Sequence, residues 1–361
     1  MSYLFAVGSY THPESPAADP QGRGISIYEW DNSANSARLV SESQDIRNPS
    51  YLSWDSGSQN LYAVSEMDEN AGTVAVFHLD ADGTLKLQNQ QEGPGRAGCH
   101  LTILHNPPRL FAASYIDGSL RAYSLDEGKI GPSILNCSYT GNGPVLERQA
   151  SSHAHQVLPG PFGNFLYVSD LGSDIIWMHS PDALDEPPSA ALKVPPGYGP
   201  RHLAFDPEGR HAYVLCELQP ILLVCSINPR TGEMKVLQEL QTAAPGNMNI
   251  AAPAAVELHP SGQTLAVSNR FDDTVAVFTI SRGAVADAAG KSPVLSLAER
   301  FPCRGKTSRD ITFSPDGSRL FIANQDSNNI SCRDFDTVTG LPAEGWGEGI
   351  STGSPVCVVM L

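Results

Sequence analysis

The chain has no apolar run long enough to span a membrane, and its first residues lack the basic stretch and apolar segment of a secretory signal. It is poor in cations. Twenty-three Lys and Arg stand against 39 Asp and Glu, a formal charge of −16, so nucleic acid and anionic membrane surfaces are excluded as expected partners. A small anionic ligand is not excluded, because a local cationic pocket can bind an acid inside an acidic protein. The seven Cys are odd in number and scattered, which argues against a disulfide framework and for free thiols in a cytoplasmic protein. Cys99-His100 has no nucleophile motif around it, and Gly141-Asn-Gly143 is too short to cradle a phosphate. His153 and His155 have the spacing to chelate from one face of a strand, but no acidic or Cys partner stands at ligand spacing. No metal or other cofactor is expected.

What the chain does contain is a repeat. A hexapeptide of the type LFAVGS begins at Leu4, Leu61, Leu110, Leu166, Ala212, Leu265 and Leu320, and its spacing of roughly fifty residues is the period of a four-stranded propeller blade. After each copy comes a polar turn and then an alternating run, such as Gly72 to Leu79 or Asp273 to Ile280, rich in β-branched and aromatic residues. Before it lies an inner strand ending in a Pro-Gly turn, as at Pro207 to Gly209, Pro260 to Gly262 and Pro315 to Gly317. The first copy has no inner strand ahead of it, whereas Ser354 to Leu361 reads as an inner strand with nothing after it. The expected fold is all-β: one seven-bladed propeller domain over residues 1–361, its ring closed by the C-terminal strand completing the first blade.

Aligned on the turn, the start of each inner strand places Ser50, His100, His155, Arg201, Ala254 and Arg309 in one column. Cations in a half-buried strand are costly unless paired or facing water. The ends of the hexapeptide strands supply a second column of Ser9, Glu66, Tyr115, Leu171, Glu217, Arg270 and Gln325. Antiparallel neighbours bring the start of one strand beside the end of the other, so both columns should rim one mouth of the central channel. Several cations around a small space suggest an anion, since a guanidinium grips a carboxylate or phosphate with two parallel hydrogen bonds.

The chain resembles the seven-bladed propeller lactonases of the bacterial 6-phosphogluconolactonase type, a group that includes fungal carboxy-cis,cis-muconate cyclases. The resemblance runs through GSYT at Gly8 to Thr11, NPSYL at Asn48 to Leu52, ERQ and SHAH within Glu147 to His155, and SDLGSD at Ser169 to Asp174. It continues through GPRH at Gly199 to His202, CEL at Cys216 to Leu218, HPSG and SNR within His259 to Arg270, and SRD with ANQDSNN within Ser308 to Asn329. It implies an active-site cluster of His155, Arg201, Arg270 and Glu217, with Arg148, Gln149, Arg309 and Gln325 among the ligand contacts. Glu66 and His100 join them as binding residues from the column alignment. The expected chemistry is opening of a small anionic sugar lactone, with His155, oriented or charge-balanced by Glu217, as general base on water. Two alternatives stay open: ring closure of a muconate by the same groups, and a non-catalytic interaction platform. Departures from the family pattern at Ser114 and Ser152 lie beside the pocket.

Overall fold

The computed structural model describes residues 2–287 and 290–361. Seven antiparallel sheets follow one another along the chain. Blade 5 shows the pattern, with strands Pro200–Phe205, His211–Cys216, Ile221–Ile227 and Met234–Gln241 running from the channel outwards. The second and third strands are almost wholly buried, whereas the outermost alternates between covered and exposed residues. Inner and middle strands are covered on both faces by neighbouring blades, while the outer strand has one face in water.

The ring closes as expected. Pro355–Met360 pairs with Ser2–Ser9 and serves as the inner strand of blade 1. The other inner strands are Pro49–Asp55, Gly98–His105, Ala154–Pro159, Pro200–Phe205, Ala252–Leu258 and Ser308–Phe313 for blades 2 to 7. Apolar side chains from neighbouring blades interdigitate at each of the interfaces between them. At the closing interface Phe5 and Trp30 of blade 1 pack on Phe321 of blade 7, with ring centroids 5.0 and 5.2 Å apart. The Pro-Gly turns adopt the expected shape. Gly209, Gly262 and Gly317 have φ of 69, 69 and 72°, a left-handed conformation that a Cβ would strain.

One backbone feature decides where side chains point at the channel. Each inner strand carries a register shift near its start, between Pro49 and Tyr51, Gly98 and His100, Ala154 and Gln156, Pro200 and His202, Pro253 and Val256, and Ser308 and Asp310. In blade 1 Pro355 and Cys357 face successive residues, Ser9 and Gly8, leaving Val356 unpaired. A bulge frees one residue from the ladder and re-aims it.

Candidate active site

The bulged residues form the upper ring of the channel: Val356, Ser50, Cys99, His155, Arg201, Ala254 and Arg309 in blades 1 to 7. Five of the six positions in the first sequence column are therefore placed as expected, and the sixth is corrected. Cys99, not His100, holds the bulge in blade 3. The turn there reads Asn106-Pro-Pro-Arg109 and offers no Pro-Gly pair from which to count. His100 sits one residue further along, stacked on Tyr51 at 3.8 Å and edge-on to His202 at 5.7 Å.

The second column needs one correction too. A backbone hydrogen bond recurs just past the second strand, from Glu66, Tyr115, Leu171, Glu217 and Gln325 N–H to the carbonyls of Asn48, Ala97, His153, Gly199 and Thr307. In blade 1 its donor is Tyr10, to Ser354, so Tyr10 rather than Ser9 belongs in the ring. The signal was in the sequence, because Gly8-Ser-Tyr10 parallels Ala113-Ser-Tyr115. The hexapeptide of blade 1 is out of step with the others by one residue.

Glu217 is the hub of this mouth. Arg148 Nη2 lies 2.5 Å from Oε1, and Arg201 Nε and Arg270 Nη2 lie 3.0 and 2.8 Å from Oε2. Burial opposes ionisation of this carboxyl, but the guanidiniums of Arg270, Arg148 and Arg201 outweigh it and hold Glu217 well below the usual carboxylate range. Arg201 is sealed in, with 3% of its side chain exposed. Burial and the neighbouring Arg270 bring its pKa down to about 10. Its Nη1 donates to the Ala254 carbonyl and lies 3.3 Å from His202 Nε2. Arg148, on the short helix Leu146–Gln149, is 43% exposed and also donates to Tyr115 Oη at 3.1 Å.

Across the channel stands a second, smaller group. Arg309 Nη2 lies 3.4 and 3.3 Å from the two oxygens of Glu66, and Tyr10 donates its phenol proton to Glu66 Oε2 at 2.5 Å. The Arg309 guanidinium rests over the Tyr10 ring at 5.2 Å.

His155 stands between these groups, and Glu217 does not orient it by a hydrogen bond. Both oxygens of Glu217 are committed to arginines, and His155 Nδ1 is buried without a hydrogen-bond partner. Tyr115 and His202 meet the ring edge-on at 5.6 and 5.3 Å. Burial, then the charges of Arg201, Arg309 and Arg270, hold its pKa far below the ordinary histidine value. It is a neutral imidazole. His100, pushed down to about 3 by burial and then Arg201, is neutral as well.

Gln149 and Gln325 are both buried. The fully buried Gln149 accepts from Val145 N–H and donates to the Leu171 carbonyl, so it anchors the loop that carries Arg148. Gln325 donates to Asp326, and its amide oxygen is buried without a partner. His153 Nδ1 lies 2.8 Å from the Tyr115 carbonyl, and its ring stacks on Tyr115. Among the described residues no group of three or more His, Cys, Asp or Glu side chains is placed to hold a metal. A groove of about 1120 Å³ lies between the outer strands of blades 4 and 5, near Lys193 and Lys235, and shares no lining residue with the arginine cluster.

Fold and site together define a seven-bladed propeller in which Arg148, Arg201 and Arg270 converge on one buried carboxylate. Residues 4–360 match the family model described as lactonase, 7-bladed beta-propeller, and the chain belongs to that family. It is 28% identical to a 6-phosphogluconolactonase of Bacillus subtilis over 99% of this chain and 98% of that one. Against a 6-phosphogluconolactonase of Formosa agariphila it is 30% identical, over 92 and 93% of the two chains. The solved structure of a periplasmic gluconolactonase from Pseudomonas aeruginosa superposes with a TM-score of 0.87 at 27% identity, covering 100% of this chain and 99% of that one.

Proposed function

We propose that the protein hydrolyses a small anionic sugar lactone at the arginine-lined mouth, with 6-phosphogluconolactone the first substrate to test. The observation that carries this reading is the grip of Arg148, Arg201 and Arg270 on one buried carboxylate beside a neutral, unpartnered imidazole. Four guanidiniums in the two groups face two carboxylates, which leaves two positive charges in excess. The nearby histidines add none near neutral pH, since His100, His155 and His202 are all held unprotonated. A dianion such as a phosphate monoester matches that excess.

In the reaction, water adds to the lactone carbonyl carbon while His155 takes a proton from it. Arg270, only partly occupied by Glu217 and the Ala252 carbonyl, faces the developing oxyanion. The C–O ring bond then breaks, the proton passes from His155 to the leaving alkoxide, and the product acid ionises. An incoming anion offsets the cations that depress His155, and so raises its basicity when a base is needed. Glu217 acts as the fixed counter-ion that keeps three arginines converged.

The names of the relatives favour hydrolysis over muconate cyclisation. The cytoplasmic assignment rests on the free thiols of all seven Cys. Mass spectrometry over a panel of lactones and muconates tests the reaction, because hydrolysis adds the mass of water and isomerisation adds none. Hydrolysis above the buffer rate that is lost in His155→Ala and indifferent to a chelator supports the reading. Conversion of a muconate to its lactone without added mass, or loss of activity on chelation, overturns it.

A further inference from the structure

The two arginine groups are not equivalent, and their difference suggests separate tasks. The Glu217 group is drawn from blade 5, blade 6 and the loop leading into blade 4, and it adjoins His155. The Arg309 group comes from blades 7, 1 and 2, the opposite arc of the ring. Glu217 is held tightly, with its nearest contacts at 2.5 and 2.8 Å. Arg309 is held loosely, at 3.3 and 3.4 Å, because Glu66 shares its charge with the Tyr10 hydroxyl at 2.5 Å. Among the described residues Arg309 makes hydrogen bonds through Nη2 alone. Its Nε and Nη1 protons, which point to different sides of the guanidinium, are therefore each available to an oxygen of a tetrahedral or planar anion.

The geometry points to Arg309, seated on Tyr10 and tethered by Glu66, as the clamp for the substrate's distal anionic group, the residue by which this site separates phosphorylated from plain sugar lactones. The inference rests on the lactonase reading. Chemistry belongs at the Glu217 arc because His155 is there, so a substrate placed with its carbonyl at that arc directs its far end across the channel. The channel is narrow enough for one small molecule to span it, since the rings of Tyr51 in blade 2 and His202 in blade 5 lie only 6.2 Å apart across it. Tyr10 positions Arg309 from below and draws part of the Glu66 charge away from it.

Binding of the two reaction products, 6-phosphogluconate and gluconate, tests the clamp without requiring turnover. Both carry the carboxylate and differ only in the phosphate. Titration calorimetry on the wild-type protein should show the phosphorylated acid binding about 10- to 100-fold tighter, the range of one hydrogen bond to a charged group. Arg309→Met should bring the ratio near one, whereas Arg270→Met should weaken both ligands together. Arg309→Met leaves Glu66 buried and unpaired, so the double variant Arg309→Met with Glu66→Gln provides a charge-balanced fold for the same measurement. Glu66→Gln alone keeps an acceptor for Tyr10, frees Arg309, and should widen the ratio.

An unchanged ratio in the double variant, or no discrimination by the wild-type protein, overturns the clamp. Failure to hydrolyse either lactone, with the binding ratios behaving as stated, would overturn the lactonase reading and leave the clamp standing.

Discussion

The seven bulges are one backbone device used in two ways. In blades 4, 5 and 7 the bulged residue is His155, Arg201 or Arg309; in blades 1, 2, 3 and 6 it is Val356, Ser50, Cys99 or Ala254. The ladder beneath is the same in both sets, so the difference lies in what the neighbouring ring offers. Arg201 and Arg309 are buried where Glu217 and Glu66 reach them. Ser50 needs only the Gly98 carbonyl, 2.9 Å from its hydroxyl. In blades 5 and 7 the bulge brings a cation onto a buried carboxylate, whereas in blade 2 it only turns the chain.

The largest effect should come from removing one bulged strand altogether. Deletion of Pro355 to Leu361 takes Val356, Cys357 and Val358 out of the core and leaves the Ser2–Ser9 strand without its inner partner. Three buried side chains at about 1.5 to 3 kcal/mol each, added to a lost ladder, consume most of a typical stability of about 5 to 15 kcal/mol. No soluble folded protein is expected, and a truncated chain with unchanged melting would show that this strand does not close the ring.

Next in size is the contrast between Glu217→Ala and Ser50→Ala. The first leaves three converged arginines, two of them buried, without a counter-ion and should cost about 3 to 5 kcal/mol in chemical denaturation. The second removes one hydrogen bond and should cost about 1 kcal/mol. Equal losses would mean that the cationic arc carries no special electrostatic burden. The same logic applies to Arg201, whose deep burial and ion pair should make Arg201→Ala costly to the fold as well as to ligand binding.

For turnover the comparison is between His155 and Ser50, which occupy equivalent bulges. His155→Ala should lower kcat by about 10² to 10⁴ if it is the base, with a smaller change in KM, and Ser50→Ala should show no such loss. The pH profile sharpens this. A base held far below the ordinary histidine pKa stays unprotonated as pH falls, so kcat/KM should have no acid limb near 6.5. Neutralising one cation in Arg270→Met raises the His155 pKa and should move that limb upwards. An acid limb near 6.5 in the wild-type protein would contradict the electrostatics of the mouth.

The smallest effect concerns Glu257 on the blade 6 inner strand, whose pKa burial and then Asp310 push up to about 8. Its folded pKa exceeds its ordinary value of 4.5, so ionisation favours the unfolded chain. The group therefore weakens the fold as pH rises from about 4.5 to 8. Glu257→Gln should raise Tm most above pH 8 and least below pH 5, and a gain independent of pH would point to packing instead.

Much of this was legible in the chain. The hexapeptide repeat located seven blades, and the unmatched strand at Ser354 to Leu361 foretold how the ring closes. Counting along the repeats found Arg201, Arg309, His155, Glu66 and Glu217 because a fixed strand and turn length carries each to the same height. The count failed where the local pattern broke, at the Pro107-Pro108 turn that displaced His100 and at the offset of blade 1 that hid Tyr10. Pairing was not legible at all. Glu217 was expected beside His155, yet three arginines from separate parts of the chain claim it.

Sequence by itself determined the period, the order of the strands, the closure and the identity of the ionisable residues near the mouth, because alternation and turn chemistry are local properties. Only the tertiary structure decided which charges meet. Glu66 and Arg309 lie 243 residues apart in the chain, and the ring brings them together across blade 1. Burial and the nearby arginines then hold His100, His155 and His202 below the ordinary histidine pKa, and competition from Tyr10 leaves Arg309 loosely held, and both effects depend on distances through space that no spacing along the chain records.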